Sequence, residues 1–291
     1  MKTEKNILIA FILNLVFSIF EFIGGIFTGS ISILSDSIHD LGDSISIGLS
    51  YFLEKKSKKG PDTKYTYGYI RFSVLGGLIM TCILLISSSF IIYEAIKRLL
   101  NPIDINYNGM IIFAVFGFIV NLIASLVTRD GGSINQKAVN LHMLEDVLGW
   151  LIVLIGAIVI KLTNINRIDS ILSILVAAFI FINAIRNLKT ITDLFLEKTP
   201  SNIDISRIKK DLLKIKGVED IHHIHIRSID GYNNYISMHI AVKEYDYKIK
   251  NKVKEKLQDY NISHSTLELE LLDEDCDKEC RVDEKHTHHH H

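Results

Sequence analysis

The stretch Ser30–Leu53, SISILSDSIHDLGDSISIGLSYFL, decides how the rest of the chain is read. It is long enough to cross a bilayer as a helix, which takes about 20 residues. Its interior holds Asp36, His39, Asp40 and Asp43. A charged side chain at the bilayer centre costs about 2.5–3.5 kcal/mol on insertion scales, so a span that carries several must turn them toward something polar. His39 and Asp43 are four residues apart and share one helix face. An imidazole beside a carboxylate is half of a tetrahedral metal site. The other half lies far downstream. Ala138–Ile160, AVNLHMLEDVLGWLIVLIGAIVI, repeats the spacing as His142 and Asp146. If the two helices pack, two imidazoles and two carboxylates converge inside the membrane. The bland alternative is two unrelated polar spots facing a bundle interior. Ionisable residues inside a membrane are functional by default, which favours the site. Asp40 follows His39 directly and points about 100° away from it. Asp36, three residues before His39, is a candidate for the metal access route. Glu145 leaves its helix away from Asp146 and reads as a polar contact at the membrane edge.

Composition fits this frame. Of 291 residues, 48% are hydrophobic and 22% charged, and the two kinds are segregated, which predicts a membrane half and a soluble half. The net charge of −1 implies no polyanionic partner. The three cysteines are no disulfide framework: Cys82 lies in an apolar run and reads as a small core residue, and Cys276 and Cys280 lie near the C-terminus. MKTEKNILIAFILN has no small-residue cleavage site and reads as the start of a first span, not as a removed leader.

Taken in order, the hydropathy predicts six spans: about Asn6–Phe27, the opening stretch, Phe72–Ala95, Gly109–Val127, Ala138–Ile160 and Ile168–Leu188. Asn14 and Glu21 in the first should face other helices. Lys55, Lys56, Lys58, Lys59, Lys64 and Arg71 crowd the loop between the second and third spans, which places that loop and both termini in the cytoplasm by the positive-inside rule. Lys97 and Arg98 oppose this orientation but are outnumbered. From Pro200 the composition becomes that of a soluble domain. SNIDISRIKKDLLKI has helical spacing with Ser201 or Asn202 as cap. VEDIHHIHIRSID and YISMHIAVKE read as strands around a Gly231–Asn234 turn, YDYKIKNKVKEKLQDY as a helix, and HSTLELELL as a third strand. The order αββαβ is a ferredoxin-like layer of helices on a small sheet. The expected domains are therefore a six-span transmembrane domain (1–195), a cytoplasmic ferredoxin-like metal-binding domain (200–275) and a flexible Cys/His tail (276–291). The terminal HTHHHH reads either as a tag or as a native histidine tail.

GSISILSDSIHDLGD, YTYGYIRFSVLGG, NLHMLEDVLG, and the tail segments VEDIHHIHI, ISMHIAV and HSTLELE together resemble the cation diffusion facilitator family of metal/proton antiporters, over about residues 7–280. The resemblance implies a homodimer working by alternating access, with a transport site of His39, Asp43, His142 and Asp146. It places the chain with the zinc- and cadmium-transporting branch. It also implies a cytoplasmic metal site of His222, His239 and Glu270, with His264 nearby, at which zinc would act as a regulatory ligand. By the same likeness Cys276 and Cys280 are candidate ligands across the dimer, or else a solvated reduced tail. Some bacterial relatives carry histidines where this chain has Tyr65 and Tyr69, so a loop metal site at Asp62 is not expected.

Two imidazoles and two carboxylates suit tetrahedral Zn²⁺, whereas Ca²⁺ and Mg²⁺ want more oxygens and Cu(I) wants sulfur. Metal binding needs deprotonated ligands, so protons compete for the same groups, and histidine titrates near neutrality. The expected function is zinc export, with cadmium as a competitor, from the cytoplasm across the cell membrane in exchange for protons. The alternatives are a manganese, iron or cobalt exporter of the same family, and a membrane zinc sensor without transport. Four protein ligands leave no open position for a hydrolytic water, so an enzyme is not expected. No phosphate-binding glycine loop suggests a nucleotide, and nothing suggests nucleic acid.

Overall fold

A computed structural model describes residues 2–28, 31–101, 107–130, 132–163 and 167–272. The chain divides into two compact units, Met1–Asp193 and Leu194–His291.

The first unit is helical. Its elements are α1 (Lys2–Thr28), α2 (Ile31–Ser57), α3 (Arg71–Leu100), α4 (Tyr107–Thr128), α5 (Ile134–Thr163) and α6 (Arg167–Phe195). Three stretches among the described residues, Lys2–Gly24, Arg71–Lys97 and Ile134–Gly156, are long and apolar enough to cross a membrane, and Ala114–Thr128 is a shorter apolar helix. The surface is inverted relative to a soluble protein. Val16, Phe52, Ile86, Phe90 and Phe116 are all more than half exposed, while Asn14, Glu21, Glu54, Asn121 and Asn135 are buried. In lipid, apolar burial gives helices no reason to associate, so small residues and interhelical hydrogen bonds hold them. Both devices are present. α1 packs on α2 and α4, α4 on α5, and α3 on α2 and α5. Asn14 Nδ2 donates to Ser44 Oγ at 3.1 Å across α1 and α2. Asn140 Nδ2 donates to the Ser125 carbonyl at 2.7 Å across α5 and α4. A Cβ on Gly117 would lie 2.5 Å from the Trp150 ring, so only glycine lets α4 approach α5 there. Cys82 is exposed on α3, not in the core, because that stretch of an apolar span faces outward.

The polar centre of this packing is Glu54, in the last turn of α2. Its Oε2 accepts from Ser73 Oγ on α3 at 2.7 Å, from Ser133 Oγ at 3.0 Å and from Asn135 Nδ2 on α5 at 3.3 Å. Asn135 also exchanges two bonds with Ser50, receiving Oγ–H at 2.5 Å and donating to the backbone carbonyl at 2.9 Å. One carboxylate thus ties three helices. Glu54 lies 11 residues beyond Asp43, and Asn135 lies 7 before His142. At 3.6 residues per turn both intervals return to the same helix face. Beside these groups Ile47, Met80, Val139 and Met143 belong to one apolar cluster.

The loop after α2 is tied by Asp62. It accepts from Lys59 Nζ at 2.8 Å and from Tyr69 OH at 2.7 Å, and its other oxygen takes the Lys64 and Tyr65 amides at 2.9 Å each. The Lys59 ammonium, then the Tyr65 amide and Tyr69 hydroxyl, hold this carboxyl well below its usual range.

The second unit has α7 (Ile205–Leu212), β1 (Val218–Ser228), β2 (Asn234–Val242), α8 (Tyr247–Gln258) and β3 (Ile262–Leu271). The sheet order is β1-β2-β3, the first pair antiparallel and the second parallel. α7 is capped by Asp204, which accepts from the Arg207 amide at 3.2 Å, and not by Ser201 or Asn202. Asp204 wins because it is the residue in extended conformation next to the first helical turn. Ile249, Val253 and Leu257 on α8 join Ile208 and Leu212 on α7 in covering the sheet. β1 is irregular. Its register against β2 shifts between Val218 and Asp220 and again between His222 and His225. At the second shift His223 has φ +50°, a left-handed conformation uncommon for a side-chain-bearing residue.

Candidate metal centres

The membrane group is assembled from α2 and α5. His142 Nε2 lies 3.7 Å from Asp43 Oδ2 and 3.9 Å from Asp146 Oδ2. One ligand atom from each of the three falls within 4.8 Å of the others. His142 is 2% exposed, and neither ring nitrogen has a hydrogen-bond partner among the described residues. Burying an imidazole that way is expensive unless something else takes its lone pair. A divalent cation between the two carboxylates would do so. Three donors are thus in place, O, N and O. His39 lies on α2 one turn before Asp43, but its side chain and that of Asp36 fall outside the described residues.

Glu145 departs from expectation. It is 7% exposed and neither carboxylate oxygen has a hydrogen-bond partner among the described residues. A polar contact at the membrane edge would be exposed or paired, and among the described residues this carboxyl is neither.

The second group sits on the sheet of the other unit. His222 Nε2 is 3.0 Å from Glu270 Oε2, and His239 Nδ1 contacts Glu270 Oε1. His222, His239 and Glu270 again bring one ligand atom each within 4.8 Å. Acids flank the imidazoles. Glu268 Oε2 is 3.4 Å from His239 Nε2, and Asp220 Oδ2 is 3.7 Å from His222 Nδ1. The antiparallel register pairs His222 with His239, and the parallel register pairs His239 with Glu268, so adjacency in the sheet builds the cluster.

Strict alternation along β1 puts His223 on the face opposite His222. The bulge cancels that. The His223 ring stacks on His239 at 4.8 Å between centroids and 23° between planes, and meets His222 edge-on at 5.3 Å. His225 stays exposed. His264 is not brought into the group, because its register partner is Tyr235, whose ring lies 5.0 Å away. Cys276 and Cys280 fall outside the described residues. Sequence reasoning missed Asp220 and the stacking of His223. No period-2 reading reveals the latter, since the extra residue only shows in the pairing.

Comparison with known proteins gives the arrangement a family. Residues 7–196 match the profile described as the cation efflux transmembrane domain. Residues 200–270 match the cation efflux protein cytoplasmic domain. The zinc transporter ZitB of Yersinia pseudotuberculosis is 34% identical over 100% of this chain and 96% of its own length. A cadmium, cobalt and zinc/H(+)-K(+) antiporter of Bacillus subtilis is 31% identical over 99% of this chain and 97% of its own length. The metal cation efflux system protein CzcD of Cupriavidus metallidurans is 30% identical over 92% of this chain and 87% of its own length. A transmembrane domain followed by a cytoplasmic domain is the order of the two matched profiles. The chain is a membrane protein, not an enzyme, and belongs to the cation efflux family.

Proposed function

We propose that this protein exports Zn²⁺ from the cytoplasm in exchange for protons, using His39, Asp43, His142 and Asp146 as the transport site. The observation that carries the reading is His142: a buried imidazole without a hydrogen-bond partner among the described residues, held between carboxylates from two different helices. Zinc takes such N/O donor sets tetrahedrally. Cadmium and cobalt compete, since geometry separates them from zinc only weakly, and the name of the Bacillus subtilis relative includes all three together with H⁺. Protons and metal compete for one set of ligands, so a proton arriving from outside displaces the ion outward. The transport domain spans residues 1–195, with six crossings, both termini in the cytoplasm and the plasma membrane as its location. Residues 200–275 form the cytoplasmic domain, through which two copies dimerise. There His222, His239 and Glu270, with the tail cysteines as further candidates, bind cytoplasmic zinc as a regulatory ligand that tightens the dimer.

Zinc uptake into inside-out vesicles tests the reading. Wild-type protein is expected to accumulate zinc when the vesicle interior is acidic, and Asp43→Ala and Asp146→Ala each abolish accumulation. Equal uptake by wild type and both variants would remove the site from the membrane. Uptake that ignores the proton gradient would remove the coupling.

A further inference from the structure

An exposed apolar stripe of α2 runs into lysine. Ile45, Leu49 and Phe52 fall on one face of the helix and are all exposed, Ile45 and Phe52 by more than half. Lys56 continues that face one turn beyond Phe52, and Lys55 lies beside it in the last turn. The Lys56 ammonium is held over an aromatic platform. Its Nζ is 4.1 Å from the centre of the Phe72 ring and 6.0 Å from that of Tyr69, and these two rings stack at 5.5 Å. Tyr65, itself exposed, packs against both, at 4.4 Å from Tyr69 and 5.7 Å from Phe72. The neighbouring acids are already engaged: Glu4 pairs with Lys58 and Asp62 with Lys59, at 2.8 Å each. Among the described residues no ion pair takes Lys55 or Lys56.

We propose that Lys55 and Lys56 bind the phosphate of an anionic phospholipid whose acyl chains lie along Ile45, Leu49 and Phe52. The inference rests on α2 crossing the membrane, as read above. Long basic side chains at a helix end reach for the headgroups, and exposed tyrosines sit at the same depth. Lysines there attract anionic lipid through its net charge. A zwitterionic headgroup brings its own ammonium and gains little from two more. Free phosphate has the charge but no use for the apolar stripe below it, so the joined surface selects a lipid.

The experiment titrates the purified full-length protein in non-ionic detergent with phosphatidylglycerol and counts bound lipid by native mass spectrometry. Phosphatidylcholine and glycerol 3-phosphate are the comparison ligands. Wild type is expected to bind phosphatidylglycerol at least about tenfold more tightly than either. Each lysine lost should weaken that binding about fivefold, so Lys55→Gln combined with Lys56→Gln weakens it about 25-fold. Lys55→Arg combined with Lys56→Arg keeps the charge and retains wild-type binding. Equal affinity for phosphatidylglycerol in wild type and the double glutamine variant overturns the proposal. So does a wild type that does not prefer phosphatidylglycerol to phosphatidylcholine, and so does glycerol 3-phosphate binding as tightly as the lipid, which marks a free phosphate site. Failure of the membrane reading looks different: the wild type then does not float with liposomes of either lipid.

Discussion

Replacing Glu54 by alanine removes an acceptor shared by α2, α3 and α5. Three hydrogen bonds end on its Oε2, from Ser73, Ser133 and Asn135. The losses are unequal. Asn135 keeps its bond to the Ser50 carbonyl, and Ser133 Oγ still accepts from the Gln136 amide at 3.0 Å. Ser73 Oγ keeps no other hydrogen-bond partner among the described residues. Interhelical hydrogen bonds in membranes average about 0.6 kcal/mol and reach about 1.7, so three of them sum to roughly 2–5 kcal/mol. That is a change of roughly 30-fold to several thousand-fold in the folding equilibrium. The assay is unfolding of the purified protein in mixed micelles by increasing SDS. The control is Glu94→Ala, which removes an exposed ion pair to Lys97 at 3.6 Å and should cost under about 0.5 kcal/mol. A double-mutant cycle with Ser73→Ala should return a coupling of about 0.6–1.7 kcal/mol. If Glu54→Ala unfolds within about 0.5 kcal/mol of the control, the network does not hold the helices and the argument from its geometry is wrong.

Three further outcomes are expected. His222→Ala combined with His239→Ala lowers the zinc bound by the full-length protein by about one equivalent per chain, measured by elemental analysis after dialysis; unchanged stoichiometry removes the sheet site. Gly117→Ala forces a Cβ to within 2.5 Å of Trp150, which is itself held edge-on to Phe17 at 5.6 Å, and costs about 1–3 kcal/mol in the same SDS titration; a wild-type midpoint shows that the tryptophan yields freely. Asp211, held by Lys214 at 2.7 Å and by the Tyr260 hydroxyl at 2.5 Å, has its pKa lowered from 3.8 to about 2. Its contribution is complete above the ordinary value and is lost as pH falls through the lowered one. The melting-temperature gap between wild type and Asp211→Asn should therefore close between about pH 4 and pH 2, and a constant gap across that window would contradict the assignment.

What the sequence discloses depends on the range of the interaction. Six long helices and the αββαβ order are visible in hydropathy and period because each is a property of neighbours along the chain. So is the four-residue spacing that sets His142 over Asp146. The cap at Asp204 is a near miss, since several polar residues precede that helix and only backbone conformation picks one. Glu54 is invisible. It opens a run of lysines and reads as the solvated end of a span, and only the serines and asparagine brought by α3 and α5 make it interior. Glu145, read as an edge contact, is buried, and burial is not a property of neighbours along the chain. His264 lies at the right end of the right strand, yet the parallel register sets it opposite Tyr235 and not beside His239.

The irregularities of β1 also govern which changes of length the strand tolerates. Val218, Ile221 and Ile226 are all buried, at intervals of three and five residues. Both intervals are odd, so in a regular strand these side chains could not all point inward. Each interval contains one of the two register shifts, and each shift restores parity. Removing one residue at His223 would make the second interval four, an even count that a regular strand accommodates, so Ile221 and Ile226 would both still point inward and His222 would stay opposite His239. What such a deletion removes is the bulge itself and the ring that stacks on His239. The strand is therefore expected to tolerate losing a residue at the bulge better than losing one at a position paired in register, where every side chain on one side of the deletion would change face.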